Sequence, residues 1–226
     1  MKTHKFVRAM LTSCYAGLVA ACAAAISPTV SPPSFPAQVT VAATMNQPPV
    51  TAVQIGTARV VMESSTLGSI RHILGAGSIS LSGQSGESKA WLCYSVINSG
   101  GAMQRVWLIA DGEMGGQERR ITAIVSEMSS DPASPSCPQI HGSLSYLSGD
   151  NSISSDTSEQ QIRQILGQAS GSRDGWTVFH YAGQVTPAPG ATEPGKQNIL
   201  LEIQIVSGRA SRLRIRAPRR CDLRRR

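Results

Sequence analysis

A six-residue pattern, Ile-Arg-x-Ile-Leu-Gly, occurs twice in this chain of 226 residues. The first copy covers residues 70–75, and the second covers residues 162–167, 92 positions further on. Such a repeat predicts two copies of one supersecondary unit that share a core, because one short unit cannot bury its own apolar face. The repeat therefore constrains the architecture closely, whereas it says little about activity.

Each copy has the features of a short helix that ends at a glycine. In the second copy, Asp156 and Glu159 have the spacing of a capping box, and Gly167 supplies the residue with positive φ that commonly ends a helix. The apolar residues between them share one helical face: Ile162, Ile165 and Leu166. The first copy repeats this apolar face and ends at Gly75.

Strand-like runs follow each helix. They cover residues 90–96, 105–110 and 120–125 after the first helix, and residues 175–181, 198–206 and 210–215 after the second. The first run of each set carries a tryptophan, and one further strand is expected before each helix, near residues 57–62 and 143–153. The sequence thus predicts an α+β fold, in which two tandem β-α-β-β-β repeats form an antiparallel sheet with short helices on one face.

Composition divides the chain into five segments. We expect a signal peptide at residues 1–22, a Pro/Ala-rich disordered tether at 23–52, the two repeats at 53–140 and 141–217, and a basic tail at 218–226. No Lys, Arg, Asp or Glu occurs from residue 9 to residue 58, and prolines recur between residues 28 and 49. Such a segment favours extended polyproline II structure and acts as a spacer.

The N-terminus has the pattern of an export signal. A basic start with Lys2, Lys5 and Arg8 precedes an uncharged, alanine-rich stretch, and Val-Ala-Ala-Cys at residues 19–22 fits a bacterial lipobox with lipidation at Cys22. Ala23 suits sorting to the outer membrane. The expected location is an outer-membrane lipoprotein that faces the periplasm. Cleavage after residue 25 would instead give a soluble periplasmic or secreted protein, and an uncleaved signal would remain as an anchor.

Apart from the lipidated Cys22, three cysteines remain after export: Cys93, Cys137 and Cys221. An oxidising compartment favours one disulfide. Cys93 and Cys137 belong to the same repeat, so we expect them to pair and leave Cys221 over.

Arginines dominate the C-terminal end of the chain. Residues 209–226 hold nine Arg and one Asp, which is a net charge of +8, and the signal carries +3. The whole chain has a net charge of +7, so the remaining residues carry −4. In a hairpin with residues 207–209 as its loop, Glu202 would face Arg214. Arg212, Arg214 and Arg216 would then form an outward basic strip that binds an acidic partner or anionic lipid, or that only protects a sheet edge from aggregation.

Little in the sequence indicates catalysis. Asp111 and Glu113 lie in a glycine-rich segment and could carry acid–base chemistry, although the glycines favour a turn between two strands as the explanation. The histidines show no spacing typical of a metal site, and no metal or other cofactor is expected.

A resemblance adds to this interpretation. A short helix ending in Leu-Gly, followed by a Trp-led antiparallel meander, resembles the BamE/SmpA-like outer-membrane lipoprotein domain of the β-barrel assembly machine. Two such units in tandem, over about residues 50–217, resemble the β-lactamase inhibitory protein, and the Glu-Met-Gly-Gly turn at residues 113–116 is similar to one in other exported bacterial proteins. Only scaffold positions match, so no functional residue is carried over.

The resemblance and the export signal together predict a non-enzymatic protein-binding or assembly module of the cell envelope. Its expected partners are an envelope protein and the membrane, the latter through the lipid anchor, rather than nucleic acid. The alternatives are a secreted enzyme inhibitor and a small hydrolase that uses Asp111 and Glu113.

Overall fold

The computed structural model describes residues 29–34, 39–84, 88–98, 100–112, 117–185, 195–217 and 223–225. The helices are α1 (Leu67–Leu74) and α2 (Glu159–Leu166). The strands are β1 (Val39–Val41), β2 (Ala52–Ile55), β3 (Ala58–Val60), β4 (Ser80–Ser82), β5 (Lys89–Ile97), β6 (Met103–Asp111), β7 (Ala123–Met128), β8 (Gln139–Ile140), β9 (Leu144–Ser148), β10 (Asn151–Ile153), β11 (Gly171–Arg173), β12 (Trp176–Val185), β13 (Gly195–Val206), β14 (Arg209–Arg216) and β15 (Leu223–Arg225).

The strands after the two helices form one large sheet. Its order is β11-β12-β13-β14-β7-β6-β5-β4, and β8 pairs with β5 on the edge that β4 also uses. The last strand of each meander meets the other at the centre, where β14 runs antiparallel to β7 from Arg212↔Glu127 to Arg216↔Ala123. The two halves of the chain therefore share one continuous sheet.

A second, small sheet is built from the hairpins that precede the helices. Its order is β10-β9-β2-β3, with β2 and β9 paired antiparallel at the centre. In both sheets equivalent strands of the two halves lie at equal distances from the centre, for example β2 and β9, or β7 and β14. An approximate twofold rotation therefore relates the two halves. Within the described residues each half contains a hairpin, a helix and four further strands, and the first half adds β8.

One apolar core lies between the two sheets. Val53 and Ile55 of the small sheet belong to the same buried cluster as Leu92, Leu108 and Ile124 of the large sheet. The helices add buried residues to this cluster: Leu67, Ile70, Ile162 and Leu166. Burial of each such side chain contributes about 1.5–3 kcal/mol. Across the core, the Tyr146 hydroxyl donates to Ser126 Oγ at 2.9 Å.

The predicted α+β fold class is wrong. Fifteen strands accompany two eight-residue helices in the described part of the chain, so the fold is mainly antiparallel β. The small sheet lies over the core on the inner face of the large sheet, because a hairpin precedes each helix. The strand predicted near residues 143–153 is a hairpin, whereas the strand predicted near residues 57–62 is only β3, which pairs with the unpredicted β2. A helix that could span a bilayer does not occur within the described residues, where both helices have eight residues.

Helix α2 begins later than the sequence predicts. Its N-cap is Ser158, whose side chain accepts from the Gln161 N–H, and the predicted cap at Asp156 does not form. The backbone stays extended here because Thr157 O accepts from Ala210 N at 3.1 Å and Ser158 bridges to Arg209. Helix α1 has the equivalent capping box at Thr66 and Ser69.

Part of the segment predicted as a disordered tether contacts the sheets. Val41 is buried against Val178 and Leu200, and Met45 N donates to His180 O at 2.7 Å. Val50 is buried in the main core. Part of the predicted basic tail is also ordered as a strand, because β15 pairs in parallel with β1.

Candidate binding surface on the outer face of the large sheet

The face of the large sheet opposite the main core, here called the outer face, carries three cross-strand rows of side chains. Strand pairing aligns them from β5 to β12. The first row is Ser95, Arg105, Glu127, Arg212, Gln204 and Trp176. The second is Cys93, Trp107, Val125, Arg214, Glu202 and Val178. The third is Trp91, Ile109, Ala123, Arg216, Leu200 and His180. The outer face is therefore mostly apolar on the first repeat and mostly charged or polar on the second.

The apolar half is a second buried cluster. Trp91 and Trp107 lie at its centre, and their surfaces are 4% and 2% exposed. Cys93 and Cys137 are joined by a disulfide with a Cα–Cα distance of 4.6 Å, which is the pair that the sequence analysis expects. Val30, from the N-terminal segment, packs against this cluster.

The charged half buries a carboxylate among guanidinium groups. Glu202 is 1% exposed, and its Oε2 lies 3.8 Å from Arg216 Nε. Burial raises the pKa of Glu202 above its ordinary value, although Arg216, Arg214 and Arg173 oppose this shift. Burial likewise lowers the pKa of Arg214, and Glu202 opposes that shift. The Arg214 guanidinium stacks over the Trp176 ring, with Cζ 4.1 Å from the ring centroid.

The accessible polar side chains of the outer face lie in the first row, between β6 and β12, whereas Ser95 at its β5 end is buried. We call its members from β6 to β12 the charged row: Arg105, Glu127, Arg212, Gln204 and Trp176. Arg212 Nε lies 3.4 Å from Glu127 Oε2, with side chains 47% and 23% exposed. Arg105 Nη1 lies 3.0 Å from Asp131 Oδ2. Arginine and tryptophan are enriched at the energetic centres of protein interfaces, and here they lie on strands that are paired on both sides.

The three predicted partner-binding arginines lie on the outer face of β14, but they do not form an exposed strip. Arg212 is exposed, but Arg214 and Arg216 are each only 8% exposed. The prediction assumed that β14 is an edge strand, whereas β14 pairs with both β13 and β7 at the centre of the sheet. Neighbouring strands therefore flank these arginines on both sides. The predicted pairing of Glu202 with Arg214 is confirmed.

The other candidate residues are placed only in part. Asp111 ends β6, and its Oδ2 accepts from Thr122 Oγ1 at 3.3 Å. Glu113 lies outside the described residues, so the predicted pair of carboxylates remains a prediction, as does the hydrolase alternative. Cys22 and Cys221 also lie outside the described residues. Among the residues that are described, no group of three or more His, Cys, Asp or Glu side chains could hold a metal ion.

Sequence reasoning missed two features of the outer face, namely the buried Glu202 and the N-terminal segment that packs on the sheet. A signal existed for the second, because Val39-Thr40-Val41 alternates as a half-buried strand does. The prolines around this strand favoured a disordered tether instead, so the strand was not predicted.

Comparison of the chain with models of known protein families, with curated proteins and with solved structures finds no match. The resemblance to the BamE/SmpA-like domain and to the β-lactamase inhibitory protein therefore stays a prediction from the sequence.

Proposed function

We propose that the protein is an exported cell-envelope protein, anchored by lipid at Cys22, that acts as a non-enzymatic protein-binding or assembly module. The partner would be another envelope protein, and the charged row would be the surface that it contacts. The N-terminal sequence and the family resemblance support an exported binding protein. The charged row is the part of the fold that we assign to binding.

The charged row supports a binding role in particular. Its central side chains alternate in charge across three neighbouring strands, as Arg105, Glu127 and Arg212. Fixed, alternating charges match a partner surface of complementary pattern and accelerate its association. Because the strands are paired on both sides, a partner would bind to a surface that is already ordered.

A lipid at Cys22 would also keep this face near the membrane. Val30, which packs on the outer face, follows Cys22 by eight positions. A fully extended chain spans roughly 3.3–3.6 Å per residue, so that connection reaches about 30 Å at most. Partners embedded in the same membrane, or its anionic head groups, would therefore be within reach.

Export is tested at the N-terminus of the mature protein. Mass spectrometry of protein purified from membranes should find acyl groups on Cys22 as the first residue, and Cys22→Ser should release the protein into the soluble fraction. An unmodified N-terminus at Ile26 would rule out the anchor.

Binding is tested with a matched pair of arginine variants. Arg212 and Arg163 are both exposed and both paired with a glutamate, but Arg163 lies on α2, away from the outer face. Purified protein should retain an envelope protein from a detergent extract at low salt and lose it at high salt, because screening weakens charge pairs at a surface. Arg212→Ser should lower the retained amount by roughly fivefold or more, while Arg163→Ser should leave it unchanged. Equal retention by both variants would contradict the proposed surface.

A further inference from the structure

The apolar half of the outer face is built like a site for an extended peptide. Its floor is the cluster that surrounds Trp91 and Trp107, and the Cys93–Cys137 disulfide ties β5 to the segment before β8. Ser95 Oγ donates to Cys137 O at 3.2 Å and adds a second link at the same place. The floor is therefore fixed in position before any ligand arrives, which reduces the entropic cost of binding.

Two indole groups on this floor converge on one backbone carbonyl. Trp91 Nε1 donates to Val30 O at 3.0 Å, and Trp107 Nε1 donates to the same oxygen at 3.4 Å. An indole N–H can only donate, and a buried donor without an acceptor is unfavourable. The floor therefore favours a ligand that presents a main-chain carbonyl to the two indole groups.

The segment that supplies this carbonyl is held lightly. Within residues 29–34 the two indole bonds are the hydrogen bonds that the structure shows, and no residue of this segment is fully buried. The chain is held more firmly from β1 onward, where Val41 is buried and Ala42 N donates to Ser170 O at 2.9 Å. Residues 29–34 can consequently leave the floor while β1 stays in place.

The sequence of residues 29–34 also indicates which kind of peptide could take their place on the floor. Residues 29–34, Thr-Val-Ser-Pro-Pro-Ser, are uncharged and contain adjacent prolines. Prolines hold such a peptide in an extended polyproline II conformation, which lowers the entropy lost on docking in an aromatic-lined groove. Donation from tryptophan to a peptide carbonyl fits this form of recognition.

We propose that the outer face around Trp91 and Trp107 is a binding site for uncharged, proline-containing extended peptides, which residues 29–34 occupy in cis. A partner peptide binds by displacing this segment, and the tethered segment sets the threshold for binding. The site is separate from the charged row, and its test does not depend on export or lipidation.

The test uses purified protein and a fluorescent synthetic peptide with the sequence of residues 27–36. A flexibly tethered ligand competes at an effective concentration in the millimolar range, so the wild-type protein should bind the peptide weakly. Val30→Asp places a carboxylate against the apolar floor and should release the segment. This variant should bind the peptide at least tenfold more tightly than wild type in an anisotropy titration.

Two controls make the result specific. Adding Trp107→Phe to the Val30→Asp variant removes one indole donor and should weaken peptide binding by about 2-fold to 12-fold, the range for one net hydrogen bond. A peptide that itself carries aspartate at position 30 should not bind the Val30→Asp protein.

A second measurement covers the case in which the Val30→Asp protein fails to fold. Wild-type protein titrated to millimolar peptide should show changes in the indole N–H resonances of Trp91 and Trp107, with Trp176 as the internal reference. The proposal is overturned if a folded Val30→Asp protein binds no peptide or binds it no better than wild type. It is equally overturned if all three indole signals respond alike, or if Val30→Asp dimerises without binding peptide, which would assign the floor to a second copy of the chain.

Discussion

Two glycines meet where the halves of the small sheet join. A Cβ placed on Gly142 would lie 2.6 Å from Gly56 Cα, and one placed on Gly56 would lie 2.5 Å from His141 O. Gly56 N also donates to Ser143 O at 2.9 Å. The close approach of these two backbone segments holds the β2–β3 turn against the start of β9.

Gly142→Ala should therefore destabilise the fold more than an ordinary glycine substitution. We expect a loss of about 2–4 kcal/mol in the free energy of unfolding, from a positive φ of 108° combined with a collision against backbone. Gly149→Ala is the matched control, because Gly149 also has positive φ but a Cβ there meets nothing within 4 Å, and its cost should be about 1 kcal/mol. Urea denaturation measures both, and equal losses would show that the contact with Gly56 is unimportant.

Glu202 should make the stability of the protein depend on pH. Its folded-state pKa is raised above the ordinary 4.5, chiefly by burial. A carboxyl whose pKa is raised by folding contributes most to the free energy of unfolding below pH 4.5, where it is protonated in both states. This contribution is lost as the pH rises through the folded-state pKa. The unfolding free energy of wild type should therefore fall relative to that of Glu202→Gln between pH 4 and pH 8. Urea denaturation across this range tests the prediction, and parallel pH profiles would contradict it.

The β13–β14 hairpin shows how far strand alternation determines structure. Alternation predicts that Glu202 faces Arg214 and Ile203 faces Leu213, and both pairs form. The predicted three-residue loop is instead a two-residue turn, Ser207-Gly208, combined with a register shift between Gln204 and Ile205. Ser211 is the extra residue, and it keeps the apolar residues of both strands on the inner face.

This turn can be improved. Ser207 and Gly208 have φ values of 52° and 75°, as in a type I′ turn, which favours Asn-Gly. Ser207→Asn should raise the unfolding free energy by about 0.5–1 kcal/mol, whereas Gly208→Ala should lower it by about 1 kcal/mol. Thermal denaturation of both variants checks the signs, and a loss of stability in Ser207→Asn would contradict the assignment of the turn.

The fold class was mispredicted because of two short turns. Gly56-Thr57 separates β2 from β3, and Gly149-Asp150 separates β9 from β10, so a hairpin stands where one strand was expected before each helix. The strand predicted near residues 143–153 covers both strands of its hairpin, whereas the one predicted near residues 57–62 covers β3 and misses β2. The glycines were visible in the sequence, but strands of three to five residues carry too little periodicity to be resolved. Two hairpins suffice to build a second sheet, which covers the core together with the two helices.

The arrangement of the whole molecule decides which surface is available. The sequence indicated alternating Arg212, Arg214 and Arg216, yet it could not show that β14 would join β7 at the centre of the sheet. That pairing depends on contacts between residues about 90 positions apart. It buries two of the three arginines and brings Arg212 beside Glu127, so the charged row exists only once both repeats have folded together.

Site-specific photo-crosslinking in living cells tests the proposed binding surface most directly. A photoreactive residue at position 204 lies within the charged row, and one at position 164 lies on the exposed side of α2. Both positions are glutamine in the native chain, so the two variants are matched. We expect a discrete crosslinked adduct with an envelope protein from position 204 and none from position 164. Adducts from position 164 alone, or none from position 204, would show that the outer face is not the surface through which this protein binds its partner.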